Sequence, residues 1–110
     1  MSEVLKQLKV RTGVVKRLTK ELGYYSKERD DEAARVEKMR ADGKDSHDIK
    51  QAENCLAESA MMIPQTREKL EAGFADLESC VAENGAETAE SEELKAANEA
   101  LEAAKAALAA

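Results

Sequence analysis

A chain of 110 residues is long enough for one domain and too short for two ordinary ones. Twenty residues are alanine, tryptophan is absent and proline occurs once, a composition that is typical of long helices and argues against a β-sandwich or an α/β domain. The formal net charge of −6 disfavours nucleic acid as the main partner, because binding to phosphates needs a surplus of lysine and arginine.

Two breaks divide the chain into three helical segments. At the first break, Gly43 suits a helix C-cap, and Asp45 or Ser46 suits the N-cap of the next helix. The second break is the turn dipeptide Asn84-Gly85, which precedes an acidic stretch that suits a helix N-terminus. The sequence therefore predicts helices at roughly 3–42, 46–82 and 88–108.

Apolar side chains recur at helical spacing in every segment. In the second segment they recur every seven residues from Ile49 to Leu77, and in the third from Leu94 to Leu108. Such a seam must be buried against another helix, and short connections make successive helices antiparallel. We therefore predict one domain over residues 1–110, an all-α, elongated, antiparallel three-helix bundle that is roughly 50–60 Å long.

Pro64 falls inside the second helical segment. It lacks a backbone donor and its ring clashes with the carbonyl of Ala60, so the pattern predicts that the helix is bent or broken there. Met61 and Met62 adjoin Pro64 and point away from the apolar seam. Either the bend turns both methionines toward a bundle edge, or they offer a pliable apolar contact to a partner.

The sequence contains no pattern typical of an active site, so we predict no enzyme activity, no cofactor and no metal site. His47 is the single histidine, and Cys55 lies eight positions farther along the chain. That spacing is about 12 Å along a helix, too far for a pair of nucleophile and base. Cys55 and Cys80 are expected to be buried structural thiols. The sequence contains no apolar run of roughly 18 residues, so it predicts no membrane span.

The beginning of the chain is basic, whereas the rest is acidic. Residues 1–29 carry eight basic and three acidic side chains, for a net charge of +5. Four lysines of this segment share the helix face opposite the predicted core: Lys9, Lys16, Lys20 and Lys27, with Arg17 and Tyr24 beside them. Either this is an ordinary solvated face, or it is a basic surface for an acidic protein.

Several runs of the sequence resemble the tubulin-binding cofactor A family. They are KVRTGVVKRL at Lys9–Leu18, EKMRA at Glu37–Ala41, MMIP at Met61–Pro64, and Leu70-Glu71-Ala72. Together with the residues around them they cover most of residues 5–80, whereas the chain from Glu83 onward shows no family-specific run.

This resemblance implies a cytoplasmic, cytoskeleton-associated chaperone for tubulin folding. Such cofactors capture β-tubulin after its release from chaperonin and hold it for assembly into the αβ heterodimer, without hydrolysing ATP. The resemblance also implies a second helix that is broken at the proline. The residues that we expect to contact the partner are exposed candidates on two helices: Lys9, Lys16, Arg17, Lys20, Tyr24, Lys27, Met61, Met62 and Pro64.

Two other interpretations of the same helical pattern stay open at this point. A spectrin-like three-helix spacer has about this length, but that family usually carries a buried tryptophan in its first helix, which this chain lacks. The other alternative is a homodimeric coiled-coil adaptor, whereas the chaperone interpretation predicts a monomer. Light scattering from an elongated parallel dimer would favour the adaptor, and retrieval of β-tubulin from an extract would favour the chaperone.

Overall fold

The computed structural model describes residues 2–110 and folds them into three helices: α1 (Glu3–Ala41), α2 (Ser46–Thr88) and α3 (Glu92–Ala109). The bundle measures 63 × 21 × 16 Å. Its radius of gyration is 19.1 Å, whereas a compact domain of this length would have about 13 Å. The predicted all-α, elongated three-helix bundle is therefore confirmed.

Side-chain contacts between α1 and α2 fix these helices as antiparallel neighbours. Arg11 Nε lies 2.8 Å from Asp76 Oδ2, and Ser59 Oγ donates a hydrogen bond of 2.8 Å to Glu28 Oε1. The residue number therefore rises along α1 as it falls along α2, at the same rate. Between these contacts the two helices bury an apolar seam, in which Val15 and Leu70 are fully buried.

Helix α3 covers only one half of the hairpin formed by α1 and α2. It has 18 residues and is about 27 Å long. The apolar core cluster accordingly spans residues 8–22 of α1, 63–81 of α2 and 94–108 of α3. In the other half α1 and α2 pack on each other without a third helix, and Val36 and Ala52 are buried there.

The first connection matches the predicted break. Gly43 has φ +66°, a left-handed conformation that glycine adopts without steric strain. Its N–H donates to the carbonyl of Arg40, and the N–H of Lys44 donates to that of Met39. These bonds satisfy carbonyl groups at the end of α1, which would otherwise lack partners.

The second predicted break is wrong, because α2 continues through Asn84-Gly85 and ends at Thr88 rather than at 82. The Asn84 side chain donates to the carbonyl of Cys80 at 3.1 Å, and the buried Thr88 hydroxyl donates to the carbonyl of Asn84 at 2.9 Å. These local bonds and the continuing packing outweigh the turn preference of the dipeptide. Helix α3 begins at Glu92 instead of at 88, behind Ser91, whose hydroxyl accepts the N–H of Leu94.

Pro64 is exposed and lies inside α2, which is helical on both sides of it. The helix is therefore not broken there. A bend at Pro64 stays a prediction.

We expect the Pro64→Ala variant to be more stable than the parent chain. Alanine restores an N–H donor for the carbonyl of Ala60 and removes a helix-interior penalty of up to about 3 kcal/mol. Urea denaturation followed by circular dichroism measures the change. The exposed neighbour Gln65 supplies the control, because Gln65→Ala changes helix propensity only slightly. A less stable Pro64→Ala variant would show that the surrounding packing depends on the proline.

Glu32 carries the one buried side-chain oxygen or nitrogen atom, among the described residues, that has no hydrogen-bond partner. This atom, Oε2, lies one helical turn beyond Glu28, on nearly the same face of α1 with which Glu28 reaches Ser59. A buried acceptor without a donor costs roughly 1–3 kcal/mol of folding free energy.

Replacing Glu32 by leucine is expected to stabilise the bundle. The variant removes the unpaired acceptor and adds apolar surface to the half of the hairpin that α3 leaves uncovered, so we expect a gain of roughly 1–3 kcal/mol. The same change at the exposed Glu58 should alter stability by less than about 0.5 kcal/mol. Urea denaturation of both variants checks the prediction, and a loss of stability at position 32 would contradict it.

Candidate protein-binding surface on helix α1

Six residues form a regular stripe along the outer face of α1. Their positions alternate in steps of four and three, which keeps them on one side of a helix. We call this surface the lysine–glycine stripe; it consists of Lys9, Gly13, Lys16, Lys20, Gly23 and Lys27. All six residues are exposed, as the helical pattern predicted for the four lysines.

The four lysines of the stripe differ in whether they form an ion pair. Among the described residues, Lys9, Lys16 and Lys20 take part in no ion pair. Lys27 Nζ, in contrast, lies 2.9 Å from Asp31 Oδ2. This hydrogen bond, together with the negative charge of Asp31, raises the pKa of Lys27 above its ordinary value. Unneutralised positive charge is therefore concentrated in the first three lysines.

Helix α3 borders the beginning of the stripe. A shallow groove runs between α1 and α3, and it is lined by Lys9, Thr12, Gly13, Lys16, Glu92, Glu93 and Ala96. A second depression lies farther along α1, where it is lined by Gly13, Lys16, Arg17, Lys20 and Glu21. Both depressions include Gly13, where the missing side chain leaves the helix backbone open to a neighbouring molecule.

Arg17 belongs to this surface but is paired within it. Its Nη1 lies 3.0 Å from Glu21 Oε1, one turn along α1. Exposed pairs of this kind are worth only a few tenths of a kcal/mol. Arg17 can therefore exchange Glu21 for an acidic group of a partner at little cost.

Exposed apolar side chains accompany the stripe on α1. Val10 is 66% exposed, Tyr24 is 64% exposed and Val14 is 36% exposed. The ring of Tyr24 meets that of Tyr25 edge to face, with 5.5 Å between the centroids. A side-chain hydrogen bond with Glu28 raises the pKa of the Tyr24 hydroxyl.

Val10 and Val14 both line a depression that includes Asp76 of α2, and Val14 faces Gly73 of α2. Val10 also adjoins Gly13, one turn along α1, and Tyr24 adjoins Lys20 and Lys27 in the same way. We call Val10 and Tyr24 the apolar border of the stripe.

The two glycines of the stripe have no packing reason within the bundle. A Cβ atom at Gly13 or Gly23 would meet no atom within 4 Å. Gly73 in α2 differs, because a Cβ there would lie 3.6 Å from a methyl group of Val14. Glycine inside a helix costs roughly 0.5–1 kcal/mol relative to alanine, so α1 carries two destabilising residues that its own packing does not require.

We therefore expect Gly13→Ala and Gly23→Ala each to stabilise the protein by roughly 0.5–1 kcal/mol. Gly85 in α2 is equally open to a Cβ, so Gly85→Ala should give a gain of the same size. Gly43→Ala should instead destabilise the protein, because φ +66° strains alanine. Thermal melts of the four variants test this order. Destabilisation by either α1 variant would contradict it.

The remaining candidates lie on α2. Met61 is 59% exposed, Met62 is half-buried and Pro64 is exposed. The register set by the pairs Arg11–Asp76 and Glu28–Ser59 puts Met62 level with residue 25 of α1. These residues are therefore close, along the bundle axis, to the Lys27 end of the stripe.

The two cysteines differ in exposure. Cys80 is buried in the core, as expected, whereas Cys55 is exposed, so the expectation of a buried thiol is wrong there. The reason is that Cys55 lies at the edge of the contact between α1 and α2, in an open depression that Arg35 and Met39 of α1 also line. Within residues 2–110, no group of three or more histidine, cysteine and acidic side chains is placed to hold a metal ion. No helix of this part is long and apolar enough to cross a membrane.

Comparison with known proteins finds relatives over nearly the whole chain. Residues 3–101 match the family model for tubulin binding cofactor A. The human protein named tubulin-specific chaperone A is 43% identical over 101 residues, which are 92% of this chain and 93% of that protein. The crystal structure of tubulin folding cofactor A from Arabidopsis thaliana gives a TM-score of 0.85 at 40% identity, covering 94% of this chain and 96% of that one.

The family match extends farther than the sequence runs that carried the resemblance. It includes most of α3, up to residue 101, although the chain from Glu83 onward offered no family-specific run. A helix rich in alanine and glutamate has few residues that distinguish one family from another, so short motifs are not informative there.

Proposed function

The chain belongs to the tubulin binding cofactor A family, and we propose on that basis that it is a cytoplasmic tubulin-folding chaperone. It captures β-tubulin after release from chaperonin and holds it for assembly into the αβ heterodimer. The observation that carries this proposal is the family match over residues 3–101. The family is one of chaperones rather than of enzymes, and the match does not favour a spectrin-like spacer or a coiled-coil adaptor.

The shape of the bundle supports binding along its outside. A rod with a cross-section of 21 × 16 Å has no room to enclose another protein, so a client must contact exposed side chains. The proposed contact surface is the lysine–glycine stripe with Arg17 and Tyr24. Met61, Met62 and Pro64 provide a second, smaller apolar contact on α2.

Electrostatics favours the stripe as the first point of contact with an acidic client such as tubulin. The whole chain carries −6, so the two molecules repel each other at long range. The unpaired Lys9, Lys16 and Lys20 reverse that sign locally. Charges at the rim of an interface mainly set the association rate and its dependence on salt.

The capture function is tested directly by a pull-down with two forms of tubulin. The purified chain should retain β-tubulin released from chaperonin and should not retain the intact αβ heterodimer, because it acts before the heterodimer forms. Light scattering of the retained complex should show one chain for each β-tubulin, as expected for a monomeric chaperone. Failure to retain free β-tubulin under these conditions would refute the proposed function.

The role of the stripe is tested by reversing two of its charges. We expect Lys16→Glu with Lys20→Glu to slow β-tubulin capture and to flatten the dependence of its rate on ionic strength, because the local attraction is lost. The thermal melt should hardly change, since both side chains are exposed. Stopped-flow measurement of the capture rate over a salt series gives the result.

The control makes the same reversal outside the stripe. Lys95 and Lys105 are exposed on α3, and Lys95→Glu with Lys105→Glu changes the net charge by the same amount. This control should slow capture much less. Equal rates for the two double variants would mean that the stripe is only a solvated face and that tubulin is held elsewhere, with the α2 methionines as the remaining candidates.

A further inference from the structure

We propose that the lysine–glycine stripe is the binding surface for one acidic, amphipathic α-helix of the tubulin client. This inference rests on the proposed function and specifies the chemistry of the segment that α1 recognises. It commits to a folded helix rather than to a flexible acidic segment. Four observations support it: the spacing of the stripe, its unpaired charges, the apolar border and the two open glycines.

The geometry of the stripe fits a helix lying along α1. Its positions alternate in steps of four and three from Lys9 to Lys27. Contact positions recur at this spacing along two helices that pack side by side. The stripe is about five helical turns long, or about 27 Å. A single helix of the client can therefore contact it from one end to the other.

The charges of the stripe call for an acidic partner. Lys9, Lys16 and Lys20 have no ion-pair partner among the described residues. They follow one another at intervals of seven and four residues, so carboxylates at the same spacing on a facing helix can reach all three. Glu92 and Glu93 of α3 stand across the groove from Lys9 and Lys16, and they exclude an acidic partner from that side. The partner must therefore lie over the outer face of α1.

The apolar border identifies the occupant as amphipathic. Val10 and Tyr24 are about two-thirds exposed, near the two ends of the stripe. A helix that carries carboxylates on one side and apolar side chains beside them would bury both residues. A purely acidic segment would pair with the lysines but would leave the valine and the tyrosine in water.

The glycines distinguish a helix from a flexible chain. Gly13 and Gly23 leave space that nothing in the bundle fills, and glycine is the residue that permits close approach to a backbone. The distance between helix axes depends on the side chains at the contact. Two gaps about 15 Å apart along the axis let a rigid neighbour come close at two points, whereas a flexible segment has no need of them.

The test fills both gaps without changing any charge. We expect Gly13→Leu with Gly23→Leu to weaken equilibrium binding of β-tubulin by about tenfold or more, because bulky side chains hold the facing helix away. The thermal melt should stay at or above that of the parent, since leucine is a strong helix former. The salt dependence of binding should be retained, because all lysines are still present.

A matched control places the same side chains elsewhere on the surface. Ala75 in α2 and Ala103 in α3 are exposed, and Ala75→Leu with Ala103→Leu should bind β-tubulin like the parent chain. An equal loss of binding in this control would contradict the proposal that the stripe binds a helix, because it would show a general effect of added leucines. Unchanged binding in the glycine variant would also overturn it, and would mean that the lysines bind a flexible acidic segment.

The outcomes separate this inference from the proposed function. If the parent chain retains β-tubulin and the glycine variant binds equally well, the stripe does not bind a helix of the client, and the chaperone function stands. If the parent chain does not retain β-tubulin at all, the proposed function is wrong, and so is the proposal that the stripe binds a helix of tubulin.

Discussion

The antiparallel seam between α1 and α2 determines where every other part of the molecule lies. The two helices contain 39 and 43 residues and run side by side over the whole length of the rod. Helix α3, with 18 residues, covers only the half that contains the beginning of α1. The apolar core is concentrated in that half, whereas the other half depends on the pairing of two helices and contains the unpaired Glu32 oxygen.

The sequence predicted the parts of the fold that follow from the helical spacing of apolar residues. It failed where a local turn signal competed with packing. The recurring apolar residues were sufficient to find three helices, and Gly43 to find the first turn. Asn84-Gly85 is a strong turn signal in isolation, but the seam continues past it to the buried Thr88, and burial outweighs local preference. Ser91, a good N-cap residue, carried the correct signal three residues beyond the predicted start of α3.

The outer face of α1 could be predicted only in part. Helical spacing alone shows that the four lysines point away from the core, but not which basic side chains find acidic partners. That Lys27 and Arg17 are paired whereas Lys16 and Lys20 are not depends on side-chain positions in the folded helix. The open space at Gly13 and Gly23 likewise depends on where α2 and α3 lie against α1. Packing leaves this face free, so the fold does not require these residues, and we propose them for binding.

The charge distribution is better suited to orienting a client than to raising the overall affinity for it. An acidic client meets a rod of net charge −6, so most approaches are repelled. We propose that the outer face of α1 attracts it, and that complementary charge there selects one docking orientation from many. Because the attraction comes from a few exposed lysines, screening by salt weakens it readily. A holding chaperone must later release its client, and weak, exposed ion pairs meet that requirement better than a large buried apolar interface would.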